Sequence, residues 1–467
     1  MKRLFPILLA TVLIAPACED ILELEPVNQI PGDKAVESVA DLEALVISMY
    51  NGLSGGHFYG SNLFVYSDLL ADDSEVDESR LFDFGTREIY NRATTIQINP
   101  LRDTWKYAYQ AINRANLVIK IIDENRLSGA EYEAKKSRFK AEAYFVRALC
   151  HFELVRYWAQ PYDTDAQGGN SQIGVPYRTM ATETIDQDLN MARSSVEDVY
   201  TSMVADLAQS ENFFAEAGVT VSGDRASQMA ATALKARILF YKGDYTGAAQ
   251  AASSVINNSS FSMGTDLLAP FDAEGTARPE EVIFQIAFTS INQYSNGLPG
   301  SYSRINNNPV FKYADQALYD SYNSNDLRKT EWFIPQPITG KAFIKKHDLT
   351  GSLMNNIPVL RLGEMHLIRA EAVLLSGGNV QDALDSYNAV RQRAFGANFV
   401  PETGTQDVLA KVQLERRWEL CYENDRLHNL KRLKQPLRNG VNYNDPTVLF
   451  KIPQEEIAGN NLIVQNP

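Results

Sequence analysis

The chain has 467 residues, with 44 Lys and Arg against 58 Asp and Glu for a net charge of −14, 45% hydrophobic residues and 10% aromatics. That balance excludes a disordered chain, which lacks apolar mass and rings, and argues against nucleic acid, whose capture depends on excess Lys and Arg. Three cysteines without a Cys-x-x-Cys pair and five scattered histidines without His-Glu-x-x-His provide neither a disulfide framework nor a zinc site, and no cofactor is expected. The length exceeds the ~250 residues of a single core, which calls for two domains or one extended helical architecture.

At the N-terminus, Lys2 and Arg3 precede an apolar run from Leu4 to Ala15 that is too short to span ~30 Å of hydrocarbon. With Ala15-Pro-Ala-Cys18 the segment resembles a bacterial lipoprotein signal: residues 1–17 removed, Cys18 lipidated and inserted in outer-membrane lipid, residues 18–38 a tether. Glu19, Asp20, Glu23 and Glu25 resemble the surface-export signal of Gram-negative outer-membrane lipoproteins.

Val39, Leu42, Leu45, Val46, Met49 and Tyr50 have helical spacing and lead into Gly52-Leu-Ser54-Gly-Gly56. This satisfies G-x-S-x-G, but a nucleophile elbow needs a strand before its Ser, so the glycines are read as a helix stop. Asp68, Asp72, Asp73, Glu75, Asp77 and Glu78 crowd one stretch. Glu78 and Phe84 stand where a calcium loop needs Gly and Glu, so a solvated acidic loop is expected. Whether two of these carboxylates act as a glycosidase pair depends on their separation in space. No P-loop or G-x-G-x-x-G occurs.

Trp105, Ala108, Ile112, Ala115, Ile119 and Ile122 form one helical stripe, and Phe139, Ala143, Val146, Cys150, Leu154 and Tyr157 a second, with Lys136, Arg138, Lys140, Glu142 and Arg147 on other faces. Cys150 and Cys421 are therefore packed thiols. Ser195–Phe214 reads as part of a further helix pair. Ala236-Arg-Ile-Leu-Phe-Tyr-Lys-Gly243-Asp-Tyr245-Thr-Gly-Ala248 is similar to Ala370-Glu-Ala-Val-Leu-Leu-Ser-Gly377-Gly-Asn379 with Ala383, each reading helix, Gly turn, helix. These units resemble tetratricopeptide repeats, so the expected class is mainly α, a helical-hairpin scaffold. Residues 52–100 and 258–355 lack sustained periodicity and read as long loops and short strands, where binding residues concentrate.

The C-terminal third carries Asn356-Ile-Pro358-Val-Leu-Arg361-Leu-Gly-Glu364, Asn388-Ala-Val-Arg391-Gln-Arg393-Ala394, Leu414-Glu415-Arg416-Arg417-Trp-Glu419-Leu-Cys-Tyr-Glu423-Asn-Asp-Arg426, and Phe450-Lys-Ile-Pro453. With Asn113-Arg-Ala-Asn116 and Ala141-Glu-Ala143-Tyr-Phe-Val-Arg147, these motifs resemble the SusD/RagB family of outer-membrane nutrient-binding lipoproteins. Asn424 and Leu427 depart from the family, where Gly and an aromatic are usual. The Arg and Glu residues of 415–426 are read as ion pairs that cap helix ends and hold the last helix against the solenoid. The resemblance implies a single SusD-like domain over 39–467, with halves 39–257 and 258–467. It also implies a surface-exposed, non-catalytic protein that passes an oligosaccharide to a SusC-like TonB-dependent outer-membrane transporter.

Sugar recognition calls for exposed rings that stack on C–H faces, with amides or carboxylates for the hydroxyls. Candidates in the irregular stretches are Phe82, Phe84, Tyr90, Tyr294, Tyr302 and Trp332, with Asn62, Asn292 and Asn296 beside them; Trp332 offers the widest face. Trp105, Trp158 and Trp418 are assigned to the core. A peptide ligand on the same scaffold, and a surface hydrolase using Ser54 or an acidic-loop carboxylate, are the alternatives.

Overall fold

The structure, a computed structural model, describes residues 36–80, 85–166, 169–184, 187–288, 296–302, 312–335, 340–347 and 353–467. The first half contains α1 (Val39–Ser54), α2 (Asn62–Leu70), β1 (Ser74–Val76), α3 (Thr86–Tyr90), α4 (Asn99–Asp123), α5 (Ala130–Trp158), α6 (Val196–Glu216), α7 (Gln228–Lys242) and α8 (Tyr245–Ile256). Short elements follow: α9 (Ala269–Asp272), β2 (Val282–Ile286), α10 (Pro299–Tyr302), β3 (Lys312–Ala314), α11 (Gln316–Ser321), α12 (Arg328–Glu331), β4 (Phe333–Pro335) and β5 (Ala342–Ile344). The chain ends with β6 (Ile357–Arg361), α13 (Leu362–Leu375), α14 (Val380–Phe395), α15 (Val408–Leu420), α16 (Arg426–Arg432) and α17 (Gln454–Gly459).

Helix starts follow the sequence. Ser195, Ser227, Asp244 and Asn379 each accept a first-turn N–H that no helical carbonyl can reach, and so begin α6, α7, α8 and α14. Gly243 ends α7 at φ 80°, a left-handed position glycine adopts without a Cβ penalty, and the chain turns straight into α8. Gly377, at φ 74°, does the same between α13 and α14. Both similar segments are therefore helix hairpins.

Each long helix packs on its predecessor: α1 on α4, then α4 on α5, α5 on α6, α6 on α7 and α7 on α8. The stack does not stop at the irregular stretch, because α8 packs directly on α13, which carries α14 and α15. Small residues make that approach possible, with Ala248, Ala251, Ala252 and Val255 forming the buried face of α8. Both apolar stripes are buried as expected. Glu142 and Arg147 are also buried, because α5 is enclosed along its second half. Glu142 accepts from Arg138, Arg225 and Tyr50, and Arg147 grips Asp206 in a two-pronged pair.

The irregular stretches hold more structure than loops and strands. Residues 63–70 of α2 are buried on every side, which removes the polar face that periodicity detects. β1 pairs with β3 in an antiparallel sheet of order β1-β3-β5-β4, so the two stretches share a sheet. β2 and β6 form a separate antiparallel pair with register shifts around Phe284.

The Arg and Glu residues of the 415–426 segment are ion-paired. Arg328 meets Glu415 at 2.7 Å and Glu419 at 3.1 Å; Arg361 meets Glu419 at 3.0 Å and Glu423 at 2.6 Å; Arg393 meets Glu419 at 2.5 Å. These pairs bind α15 to α12, β6 and α14. The acidic stretch is solvated only in part: Asp68 and Asp73 are buried, Asp72, Glu75 and Asp77 are half-buried and Glu78 is exposed. Asp68 pairs with Lys312, while Asp72 and Asp73 pair with Arg417 and Arg426. Their cationic partners lie far along the chain, so local charge density overstates exposure.

Candidate functional site

Several of the expected ligand residues build the base of the irregular region. Tyr302 and Lys312 flank segment 303–311 and converge on one oxygen: Asp68 Oδ2 accepts from Tyr302 OH at 2.5 Å and from Lys312 Nζ at 2.7 Å. The ammonium also lies 3.5 Å from the Tyr302 ring centroid. Burial and the Asp68 charge raise the Tyr302 phenol well above its ordinary value, so it stays a donor.

Asn296 plays a similar part. Its side chain donates to Asn355 O at 3.0 Å and accepts from Leu298 N at 2.9 Å, while Phe288 N donates to Asn356 Oδ1. The adjacent asparagines 355 and 356 thus hold both flanks of segment 289–295. Gly297 N to Gly60 O and Asp315 N to Asp73 O tie the same region to the first stretch.

Trp332 is a core residue. It is 1% exposed, its indole donates to Leu267 O at 3.0 Å, and Lys346 Nζ sits 3.9 Å from its ring, so no face is open for stacking. The reason is that the second stretch packs apolar residues into the main core, with Phe271 edge-on to the indole. Tyr302 and Asn296 are buried as well, whereas Tyr90 is half-buried with Arg438 3.8 Å from its ring centroid. Asn62, half-buried, donates to Tyr66 OH at 2.8 Å. Phe82, Phe84, Asn292, Tyr294 and Cys18 lie outside the described residues. Trp105 and Trp158 are buried and Trp418 is half-buried against Tyr322.

Of the hydrolase candidates, Ser54, Asp68 and Asp73 lack access. Ser54 is 2% exposed in the last turn of α1 and donates to Asn51 O, so it stands on a helix and not on a strand-to-helix turn. Burial pushes Asp73 up to about 6 against the pull of Arg417 and Arg426, yet this carboxylate is sealed from any substrate. Cys150 and Cys421 are buried, and burial pushes the Cys421 thiol up to about 11. Among the described residues no group of His, Cys, Asp and Glu is arranged to hold a metal.

A cleft of about 850 Å³ opens over α4. Its floor is one ridge of that helix, Arg102, Lys106, Tyr109, Gln110 and Asn113, and its walls are Arg178, Met180, Thr182 and Leu189 on one side and Pro453, Glu455 and Glu456 on the other. Asn113 fixes one wall by donating to Thr182 O and accepting from Thr182 N at 2.7 Å. Asn116 donates to the carbonyls of Arg178 and Met180. The other wall is pinned by Trp105 Nε1, which donates to Glu456 at 3.3 Å. The sequence reading passed over this cleft. Its signal is the polar side of α4, where Arg102, Lys106, Gln110 and Asn113 recur at helical spacing opposite the apolar stripe.

Comparison with known proteins decides the family. A model described as starch-binding, associating with the outer membrane, matches residues 22–240, and the SusD family model matches residues 288–467. The chain belongs to the SusD family. A relative from Formosa agariphila, "SusD-like protein P2", is 25% identical over 100% of this chain and 99% of its own length. A SusD superfamily protein from Bacteroides thetaiotaomicron superposes with TM-score 0.80 at 23% identity, covering 92% of this chain and 99% of the other. The surface glycan-binding protein A of Bacteroides fluxus gives TM-score 0.73 at 21% identity, covering 92% and 99%. The mainly helical scaffold is therefore the SusD fold. SusD-family proteins bind sugars and are associated with the outer membrane. No helix among the described residues is long and apolar enough to cross a membrane.

Proposed function

We propose that the protein is a surface lipoprotein, anchored in outer-membrane lipid through Cys18, that captures an oligosaccharide and delivers it to a SusC-like TonB-dependent transporter. The observation that carries the reading is the convergence of both irregular stretches on buried polar clips, above all Tyr302 and Lys312 on Asp68. A recognition surface needs side chains carried on a base that does not give way, and such clips supply one. Phe82, Phe84 and Tyr294 are the rings assigned to sugar stacking, with Asn292 for hydroxyl groups. The protein binds and does not cleave.

Calorimetry of the full mature chain against a panel of polysaccharides and peptides tests the ligand class. Saturable glycan binding that falls at least about tenfold in Phe84→Ala, with the saccharide recovered intact, is the expected result. Binding confined to peptides, or saccharide turnover, overturns the capture reading. Co-purification with a barrel transporter from outer membranes, and loss of membrane retention in Cys18→Ala, test delivery and anchoring separately.

A further inference from the structure

We propose that the cleft over α4 is a second saccharide site, selective for a short oligosaccharide bearing a carboxylate or sulfate group. The inference rests on the sugar-binding reading above but uses none of the residues assigned there. At about 850 Å³ the cleft falls within the ~300–1,000 Å³ of ordinary ligand sites.

The selectivity follows from which polar groups are already satisfied. Asn113 and Asn116 are committed to backbone that shapes the wall. Glu456 is held by Trp105 Nε1, by Arg178 at 3.5 Å and by Asn460, and Glu455 lies 3.9 Å from Arg102. Among the described residues, the Lys106 ammonium has no carboxylate partner, its nearest ring being Tyr107 at 5.9 Å. The Gln110 amide, one turn further along the same ridge, has no hydrogen bond at all among them. Two unengaged donors thus face the cleft side by side.

The charge around them is mixed, with positive in excess. Arg102, Lys106, Arg114 and Arg178 line the cleft against Glu455 and Glu456, with Arg102 also paired to Asp103 at 2.8 Å, on a chain of net charge −14. A concave wall concentrates such a field, and a hydrogen bond between ammonium and carboxylate or sulfate is about twice as strong as one between neutral groups. The wall also carries apolar surface of the kind that lies against sugar C–H groups: Met180 is 74% exposed and Leu189 39% exposed.

The test is calorimetry of the full mature chain with three probes, trigalacturonate, a sulfated galactan tetrasaccharide and maltotetraose, on wild type, Lys106→Ala, Gln110→Ala and Phe84→Ala. Lys106 is exposed, so its replacement leaves folding intact, which a melting curve verifies. The expected result is that one anionic probe binds at least about tenfold tighter than maltotetraose, that salt weakens it, and that Lys106→Ala costs about tenfold. Which anionic probe binds separates carboxylate from sulfate recognition. The inference is overturned if neither anionic probe binds, or if binding is the same in both cleft variants as in wild type. Loss confined to Phe84→Ala overturns it while supporting the loop-borne site; loss confined to the cleft variants supports it and removes Phe84 from that binding.

Discussion

Glu419 on α15 and Arg361 on β6 meet at 3.0 Å, each 1% exposed or less. The same carboxylate also serves Arg328 and Arg393, so three guanidinium groups share one acid, alongside Glu415 for Arg328, Glu423 for Arg361 and Glu281 for Arg361 and Arg393. A buried pair adds little over an apolar replacement, but losing one acid of a buried network removes charge and hydrogen-bond partners that solvent cannot replace. Glu419→Ala is expected to cost about 3–5 kcal/mol, read as a lower urea midpoint at unchanged slope. Burial pushes the Glu419 carboxyl up, and Arg393, Arg361 and Arg328 override it, leaving it well below its ordinary 4.5. That contribution is complete above pH 4.5 and is lost as pH falls through the lower folded value. The variant should therefore lose acid sensitivity in this range as well as stability; an unchanged midpoint would contradict the assignment.

The Asp68 clip makes an ordered prediction. Asp68→Asn leaves the Lys312 ammonium buried without its counter-charge and should cost about 3–5 kcal/mol. Tyr302→Phe removes only one hydrogen bond and should cost about 1 kcal/mol. Thermal melts compare the two, and a larger loss in Tyr302→Phe would show that the carboxylate does not hold this base together.

Lys431 is a buried cation without a carboxylate partner among the described residues: its Nζ donates to Arg156 O at 3.5 Å, and it is 3% exposed. Burial, with the Arg156 charge beside it, pushes its pKa down to about 7 from 10.5. Between those values the unfolded chain binds the proton and the folded chain does not, so stability rises with pH from about 7 towards 10.5. Lys431→Met should abolish that slope and stabilise the protein at neutral pH by about 1–4 kcal/mol. Urea unfolding at a series of pH values checks this; an identical pH slope in both proteins rules it out.

The two hairpin glycines should respond differently to the same change. A Cβ at Gly243 would stand 2.4 Å from Thr164 Cγ2, whereas at Gly377 nothing lies within 4 Å. Gly377→Ala incurs only the left-handed strain, about 1–2 kcal/mol, and Gly243→Ala adds an overpacking cost of about 1–3 kcal/mol. Equal melting-temperature losses would mean that Thr164 moves aside freely.

The scaffold was legible wherever a helix has one wet face. The α4 stripe from Trp105 to Ile122 and the two Gly-turn hairpins are found as read, because burial on one side imprints a period on the chain. α2 left no such imprint, since its residues 63–70 are buried on every side. The site was less legible, for a different reason. Trp332, Tyr302 and Asn296 have the side chains a sugar site uses, but their partners Leu267, Asp68 and Asn355 are distant in sequence, and burial by distant partners leaves no local pattern. Asn113 and Asn116 were noticed as motif residues, and their work of shaping a cleft wall became visible only with residues 178–182 folded over them.

The direct seating of α8 on α13 means that residues 257–361 leave and rejoin the stack at neighbouring points. Such an excursion can vary in length between its anchor points without shifting the register of the repeats on either side, so long as Lys312, Arg328 and Arg361 keep their partners Asp68, Glu415 and Glu419 on the scaffold.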